Sequence, residues 1–212
     1  MIVAILLLPF CVGAVKALWR LLQYSGRADM VWIPTLGGAA CWLVVFVMLP
    51  KPMRLNVFGH ELTHVLWTYL CGGKVVKFKA GSAGGHVVVT RHNFLVALAP
   101  YFFPFYAVLV VGCFVLGHWL WGWTSYLAWF HLLVGAAYAF HVTLTWHILQ
   151  ARQTDITSQG YLFSSVIIFL GNISVMILGI SALVAQVPLR VSLGWWWEET
   201  LALLFWCQRI FG

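Results

Sequence analysis

The stretch Phe105-Tyr-Ala-Val-Leu-Val-Val-Gly-Cys-Phe-Val-Leu-Gly-His-Trp-Leu-Trp121 belongs to a longer run, residues 92–151, that contains no Asp, Glu, Lys or Arg. A second run without charge covers residues 156–189. A transmembrane helix needs about 20 predominantly apolar residues. The first run is therefore long enough for two membrane spans with a turn, and the second is long enough for one.

The composition of the whole chain agrees with a membrane protein. Of its 212 residues, 63% are hydrophobic and 8% are charged, whereas a soluble domain has about 45–50% apolar and about 25% charged residues. Disordered chains, fibrous repeats and nucleic-acid-binding modules are excluded. The net charge of +7 comes from 12 basic residues scattered over short loops, which suits lipid headgroups better than nucleic acid. The expected partner is the lipid bilayer.

These patterns predict an all-α polytopic membrane protein with about six transmembrane helices and a short membrane-associated β-hairpin. No linker or internal repeat is visible, so we expect a single membrane domain over residues 1–212. The predicted spans cover residues 2–22, 31–50, 55–71, 93–116, 126–150 and 160–187.

Two further segments have distinct patterns. The β-branched runs Lys74–Lys79 and His86–Thr90 flank the glycine-rich stretch Ala80–Gly85, which predicts the β-hairpin. The tail carries three consecutive tryptophans at 195–197. Because tryptophan favours the headgroup level of a membrane, residues 195–211 are expected to form an interfacial helix.

The distribution of Lys and Arg predicts the orientation. If the six spans alternate in direction, one side of the membrane collects Arg20, Arg27, Lys74, Lys77, Lys79, Arg91 and Arg152. The other side has Lys51, Arg54, Arg190 and Arg209. Basic residues are enriched on the cytoplasmic side. We therefore expect an integral multi-pass protein of the cell (inner) membrane with the hairpin region, residues 72–92, facing the cytoplasm.

A metal-binding pattern lies in the predicted third span, where Phe58-Gly-His-Glu-Leu-Thr-His64 contains His-Glu-x-x-His. Histidines four residues apart share one helical face, so His60 and His64 can both reach one zinc ion. Glu61 can then serve as general base for water that the metal makes more acidic. Alternatively, the three side chains are only interhelical hydrogen-bond partners, although three ionisable groups at membrane depth are costly without a function.

Asp155 is the candidate for a third ligand, since a catalytic zinc usually has three protein ligands. It is the only acid in a long apolar stretch and follows the fifth span directly. Its carboxylate can reach His64 if the fifth helix ends early or unwinds, and the polar run Gln150–Thr154 suits such a turn. The alternative is a loop aspartate that caps the next helix, because Asp155-Ile-Thr-Ser is also good N-cap sequence.

At this point the chain resembles the site-2 protease class of intramembrane zinc metalloproteases. The similar elements follow in order: Gly59-His-Glu-Leu-Thr-His64 on a membrane helix, a glycine-rich β segment ending Gly84-Gly-His-Val87, and Leu98-Ala-Pro-Tyr-Phe-Phe-Pro104 at the start of a second core helix. Asp155 falls where the family supplies its third ligand. The protease-like core covers about residues 55–165. The chain departs from the family in lacking a proline and an adjacent glycine around this aspartate.

The resemblance implies a zinc-dependent endopeptidase that cuts a membrane-protein substrate within or near a transmembrane segment. Zinc would be held by His60, His64 and Asp155, with Glu61 as the catalytic base. The hairpin would bind the unwound substrate as an additional strand. The residues expected to contact the substrate are Gly84, Gly85, His86 and Val87.

Two other interpretations remain open. His131, His141 and His147 lie in the predicted fifth span, where a b-type haem or a transported metal is conceivable, although hydrogen bonding in the core is favoured. The second is a catalytically inactive protease-like scaffold, or a subunit of a larger membrane assembly, which would bind no zinc. Substitution of Glu61 would then have no consequence.

Overall fold

The computed structural model describes residues 2–81, 84–184 and 186–211. It is mainly helical, with short 3-10 turns at Ala99–Tyr101 and Trp123–Tyr126. In chain order the helices and strands are α1 (Ile2–Ser25), α2 (Asp29–Met48), α3 (Met53–Leu70), β1 (Val75–Gly81), β2 (Gly84–Val89), α4 (Phe94–Leu98), α5 (Phe105–Trp121), α6 (Leu127–Leu149), α7 (Thr154–Gln159), α8 (Tyr161–Val184) and α9 (Leu189–Phe211).

Within these residues, helices α1, α2 and α8 are long and apolar enough to cross a membrane, as is α6 with the turn before it. A fifth crossing results if Phe94–Tyr101 and Phe105–Trp121 form one span. A membrane protein is thus supported, but the predicted six spans are not confirmed. The expected third span is helical, as α3, yet it does not belong to this apolar group.

The predicted fourth span, 93–116, is broken in the structure. Its two halves, α4 with its 3-10 turn and α5, meet at an angle of 82°. Pro104 stands at the break and precedes α5. Because proline lacks a backbone N–H and disfavours helical backbone at Phe103, the first half cannot continue straight into the second.

The chain divides into two compact units, residues 1–29 with 158–212 and residues 30–157. In the first unit, α1 and α8 run parallel. Ala4 clusters with Val166 at the beginning of both helices, and Leu21 clusters with Ile177 further along both. The small residues of α1 in these two clusters, Ala4, Ala14 and Ala17, allow the helices to pack closely.

Helix α9 runs antiparallel to α1 within the same unit. The ring centroid of Trp195 lies 5.1 Å from that of Tyr24. The indole N–H of Trp196 donates a hydrogen bond of 2.9 Å to the Phe10 carbonyl. Glu199 pairs with Lys16 at 3.4 Å. The predicted interfacial helix is thus part of a longer helix that begins at Leu189.

In the second unit, α2 and α6 run parallel. The backbone of Gly38 lies against Leu132, and Trp42, one turn further along α2, donates a hydrogen bond of 2.9 Å to Thr143. Helix α5 is antiparallel to α6, since Tyr106 at its start packs on Phe140 with ring centroids 5.2 Å apart, and Phe114 further along stacks on Phe130 at 4.2 Å. Both α2 and α5 therefore have a defined direction relative to α6.

Helix α3 has both ends close to the start of α5. Near its first turn, the Leu55 carbonyl accepts a hydrogen bond of 2.6 Å from Tyr106. Near its last turn, Trp67 packs against Phe102 and Phe103, with ring centroids 5.6 and 5.9 Å away. The segment of residues 53–104 therefore begins and ends near the start of α5.

The predicted β-hairpin is confirmed by β1 and β2, which pair antiparallel. Phe78 lies opposite Val87 and Lys79 lies opposite His86, with an irregularity between Val75 and Lys77. Residues 82 and 83 of the predicted loop lie outside the described part of the chain. Both strands pack against α3, which carries the metal-binding pattern.

Candidate metal centre

Helix α3 places His60 and His64 side by side. Their positions differ by one helical turn, and their ring centroids lie 4.9 Å apart. Glu61 is on the same helix and only 7% exposed. The local helix that the His-Glu-x-x-His pattern requires is therefore present.

Asp155 reaches these histidines because α6 ends at Leu149 and a turn follows. The Gln153 side-chain amide donates a hydrogen bond of 2.7 Å to the Ile148 carbonyl, which satisfies a carbonyl at the end of α6. Asp155 lies in the first turn of α7. Its Oδ2 is 3.5 Å from His60 Nε2 and 3.6 Å from His64 Nε2.

The three side chains fit a divalent metal ion such as zinc. One potential ligand atom from each lies within 4.8 Å of the other two. Ligand atoms bonded to one tetrahedral zinc at about 2.0–2.2 Å are about 3.3–3.6 Å apart. The two distances from Asp155 Oδ2 match this spacing, and nitrogen and carboxylate oxygen are the donors that zinc accepts.

The orientation of His64 also suits a metal ligand. Its Nδ1 lies 2.8 Å from the Val96 carbonyl oxygen, which can only accept a hydrogen bond. Nδ1 must therefore carry a proton, and Nε2 is the nitrogen that faces Asp155 and His60 and is placed to bind a metal. Val96 is fixed in turn, because its N–H donates to the Asn93 side chain that caps α4, at 2.8 Å.

Asp155 is held in its charged form. Burial alone would raise the pKa of its carboxyl, but the facing imidazoles of His60 and His64 outweigh that effect and hold the pKa well below its usual range. A carboxylate, rather than a carboxylic acid, therefore faces the two imidazoles. This is the form that binds a metal cation.

Strand β2 lies directly over Glu61. A Cβ atom added at Gly85 would overlap the Glu61 side chain at its Cγ and Oε1. Only a residue without a side chain leaves room for this approach. The hairpin thus brings a backbone segment to the candidate general base.

A cavity of about 330 Å³ opens in front of these groups. All eight residues that the sequence analysis assigned to the site line it, namely Glu61, His60, His64, Asp155, Gly84, Gly85, His86 and Val87. Their assigned roles as base, ligands and substrate contacts remain predictions. The cavity is large enough for a few residues of an extended peptide.

Several polar residues of the site have no distinctive sequence pattern and were not predicted. Asn56, His92 and Gln153 also line the cavity, and Tyr101 donates a hydrogen bond to Asp155. A faint signal existed for Gln153, which lies in the polar run before Asp155. Nothing in the sequence indicates that Tyr101 contacts Asp155, which lies 54 residues later in the chain.

The histidines of α6 differ in their surroundings. His131 and His141 are buried, and one ring nitrogen of each has no hydrogen-bond partner among the described residues. His141 and His60 both line a cavity of about 20 Å³. His147 is half-buried in the last turn of α6.

No family model, curated protein or solved structure matches the chain. What the site can do is therefore inferred from its own side chains.

Proposed function

We propose that this protein is a zinc-dependent endopeptidase that hydrolyses a peptide bond within or near a transmembrane segment of a membrane protein. One observation carries the proposal: His60, His64 and Asp155 converge beside Glu61 at the cavity that β2 borders. A scaffold would need neither the ligand spacing nor a buried carboxylate beside it. The resemblance to site-2 proteases supports the same activity.

Each side chain has a distinct task in this mechanism. His60, His64 and Asp155 would hold zinc, which when bound polarises a carbonyl group and makes water more acidic. Glu61 accepts a proton from the attacking water and later gives it to the leaving amine. Glu61 is nearly buried but lines the cavity, so its carboxylate meets the reacting groups away from bulk water.

The substrate would lie in the cavity as an extended chain next to β2. A transmembrane helix hides its peptide groups in its own hydrogen bonds, so a helical substrate must unwind before hydrolysis. The cavity is lined by Gly84, Gly85, His86 and Val87 of β2, whose backbone groups would pair with the substrate. Strand addition would replace the hydrogen bonds that the substrate loses on unwinding.

The packing in residues 30–157 supports a topology in which residues 53–104 enter and leave on one side of the membrane. Since α2 and α6 are parallel and α5 is antiparallel to α6, α2 ends on the side where α5 begins. Helix α3 is then re-entrant and does not cross. In this topology α3 is not a span, so the six predicted segments do not all alternate in direction across the membrane.

This topology sharpens the charge asymmetry within residues 30–157, although it moves Arg27, which directly precedes α2, to the side opposite the hairpin. Within residues 30–157, all Lys and Arg side chains then lie on the side of the hairpin, namely Lys51, Arg54, Lys74, Lys77, Lys79, Arg91 and Arg152. Basic loops face the cytoplasm. The cavity would therefore open toward the cytoplasmic side of a cell membrane.

The activity is tested by comparing cells that express the wild type or Glu61→Gln. Mass spectrometry of protein N-termini should find new termini, within or near membrane segments, that depend on Glu61. Zinc content should be equal in both purified proteins, because Glu61 is not a ligand. Glu198→Gln is a matched control, since the Glu198 side chain is 66% exposed and its ion pair with Arg20 lies at the surface.

Identical termini in wild type and Glu61→Gln, or no zinc in the wild type, would instead favour the inactive scaffold. The absence of zinc from the wild-type protein would refute the proposed metal centre itself.

A further inference from the structure

We propose that Tyr101 is a positioning residue that holds the Asp155 carboxylate toward His60 and His64. The proposal rests on the metal site proposed above and extends it to a residue outside the ligand set. Tyr101 acts through Asp155, so its effect should be seen in metal binding as well as in hydrolysis.

The contact between the two side chains is direct. The Tyr101 hydroxyl donates a hydrogen bond of 3.0 Å to Asp155 Oδ2. This is the same oxygen that lies 3.5 and 3.6 Å from the imidazole nitrogens. A donor fixed on that oxygen restricts rotation of the carboxylate, and groups behind metal ligands orient them in this way.

Tyr101 is well suited to a fixed position. Its side chain is fully buried, at 0% exposure, so it does not face the substrate and is not itself catalytic. Its ring stands edge-on against the His60 ring, with centroids 5.3 Å apart. Tyr101 therefore contacts one candidate ligand through its ring and another through its hydroxyl.

The backbone around Tyr101 is also constrained. It ends the 3-10 turn Ala99–Tyr101, and Pro100 lies within that turn. The N–H groups of Phe102 and Phe103 both donate to the Ala99 carbonyl, at 3.1 and 2.8 Å. A buried phenol on a closed turn has little freedom to move.

Asp155, by contrast, lies on a short element. Helix α7 has 6 residues, and an isolated helix of that length is unstable in water. The orientation of its carboxylate therefore depends on side-chain contacts from elsewhere. Tyr101, which is 54 residues earlier in the chain, supplies one.

The test measures zinc affinity of the purified full-length protein in detergent by competition with a chromogenic chelator. Tyr101→Phe removes the hydroxyl but keeps the ring that packs against His60. Loss of such a supporting group typically weakens metal binding about 10–100-fold, and we expect a loss in that range. The visible absorption spectrum of the Co²⁺-loaded protein should also change, because the carboxylate changes its orientation.

Two comparisons separate positioning from general damage. Tyr106→Phe also removes a phenolic hydrogen bond, the one that Tyr106 donates to the Leu55 carbonyl, and should leave zinc affinity and the Co²⁺ spectrum unchanged. In an Asp155→Ala background, which lacks the carboxylate, Tyr101→Phe should not lower the midpoint of thermal unfolding any further, because the two residues act as one unit. A further drop in that background would mean that Tyr101 acts on the fold instead, and would overturn the proposal.

The outcomes also distinguish this proposal from the proposed function. If the wild type binds zinc and Tyr101→Phe binds it equally well with the same Co²⁺ spectrum, the positioning role is wrong and the metal centre stands. If the wild type binds neither metal, both the metal centre and the role of Tyr101 are refuted.

Discussion

Gly85 in β2 packs its backbone directly on the side chain of Glu61. A Cβ atom at this position would overlap the Glu61 Oε1 and Cγ atoms. The hairpin and the candidate base are thus fitted to one another with no space for a side chain. Any substitution of Gly85 must move either the strand or the carboxylate.

We therefore expect Gly85→Ala to reduce hydrolysis strongly while zinc content stays the same. Glu61 is not a ligand, so its displacement affects proton transfer, and removing a general base typically costs about 10²–10⁴-fold in rate. Gly81→Ala is the matched control in the same hairpin, because its added Cβ would meet its nearest atom at an ordinary 3.8 Å. Wild-type turnover by Gly85→Ala would show that the contact is not needed for catalysis.

A second prediction separates the two interpretations of Asp155. If it is a ligand, Asp155→Ala should lower bound zinc to the level of His60→Ala, as measured by elemental analysis of purified protein. A helix cap would cost only about 1 kcal/mol of stability and leave the metal in place. Asp29→Ala is the control, since Asp29 also lies in the first turn of a helix. Stoichiometric zinc in Asp155→Ala would exclude it as a ligand.

Local patterns in the sequence were sufficient to predict several elements. The hairpin followed from β-branched runs around glycine, and the pairing of Lys79 with His86 places it where expected. The shared helical face of His60 and His64 followed from their spacing. These features depend on neighbouring residues, so they can be read without knowledge of the tertiary structure.

The directions of the helices, and the contacts between residues far apart in the chain, could not be predicted from local patterns. Alternation of the spans assumes that every helix of suitable length crosses the membrane, whereas the proposed re-entrant α3 rests on contacts of both its ends near the start of α5. The parallel packing of α2 on α6 depends on Gly38, which has no distinctive sequence context. Tyr101 meets Asp155 across 54 residues, and no local pattern indicates such a contact.

A third prediction concerns the close packing of α2 against α6. A Cβ at Gly38 would overlap the Leu132 carbonyl oxygen, whereas nothing lies within 4 Å of one at Gly37. Gly38→Ala must therefore separate α2 from α6, and overpacking of this kind costs about 1–3 kcal/mol. We expect a lower midpoint of thermal unfolding in detergent for Gly38→Ala than for Gly37→Ala. Equal midpoints would contradict the close approach of the two helices.

The last prediction concerns topology, for which Lys51 is the decisive residue. With a re-entrant α3, residue 51 lies on the same side as Lys79 in the hairpin, whereas six alternating spans place the two on opposite sides. Single cysteines at these positions, in a chain whose five native cysteines are replaced by serine, can be labelled with a membrane-impermeant maleimide. We expect both to react only after the cells are permeabilised, because basic loops face the cytoplasm. A cysteine at Ser125, in the turn between α5 and α6, should react in intact cells. Labelling of residue 51 from outside, with residue 79 protected, would restore the alternating arrangement.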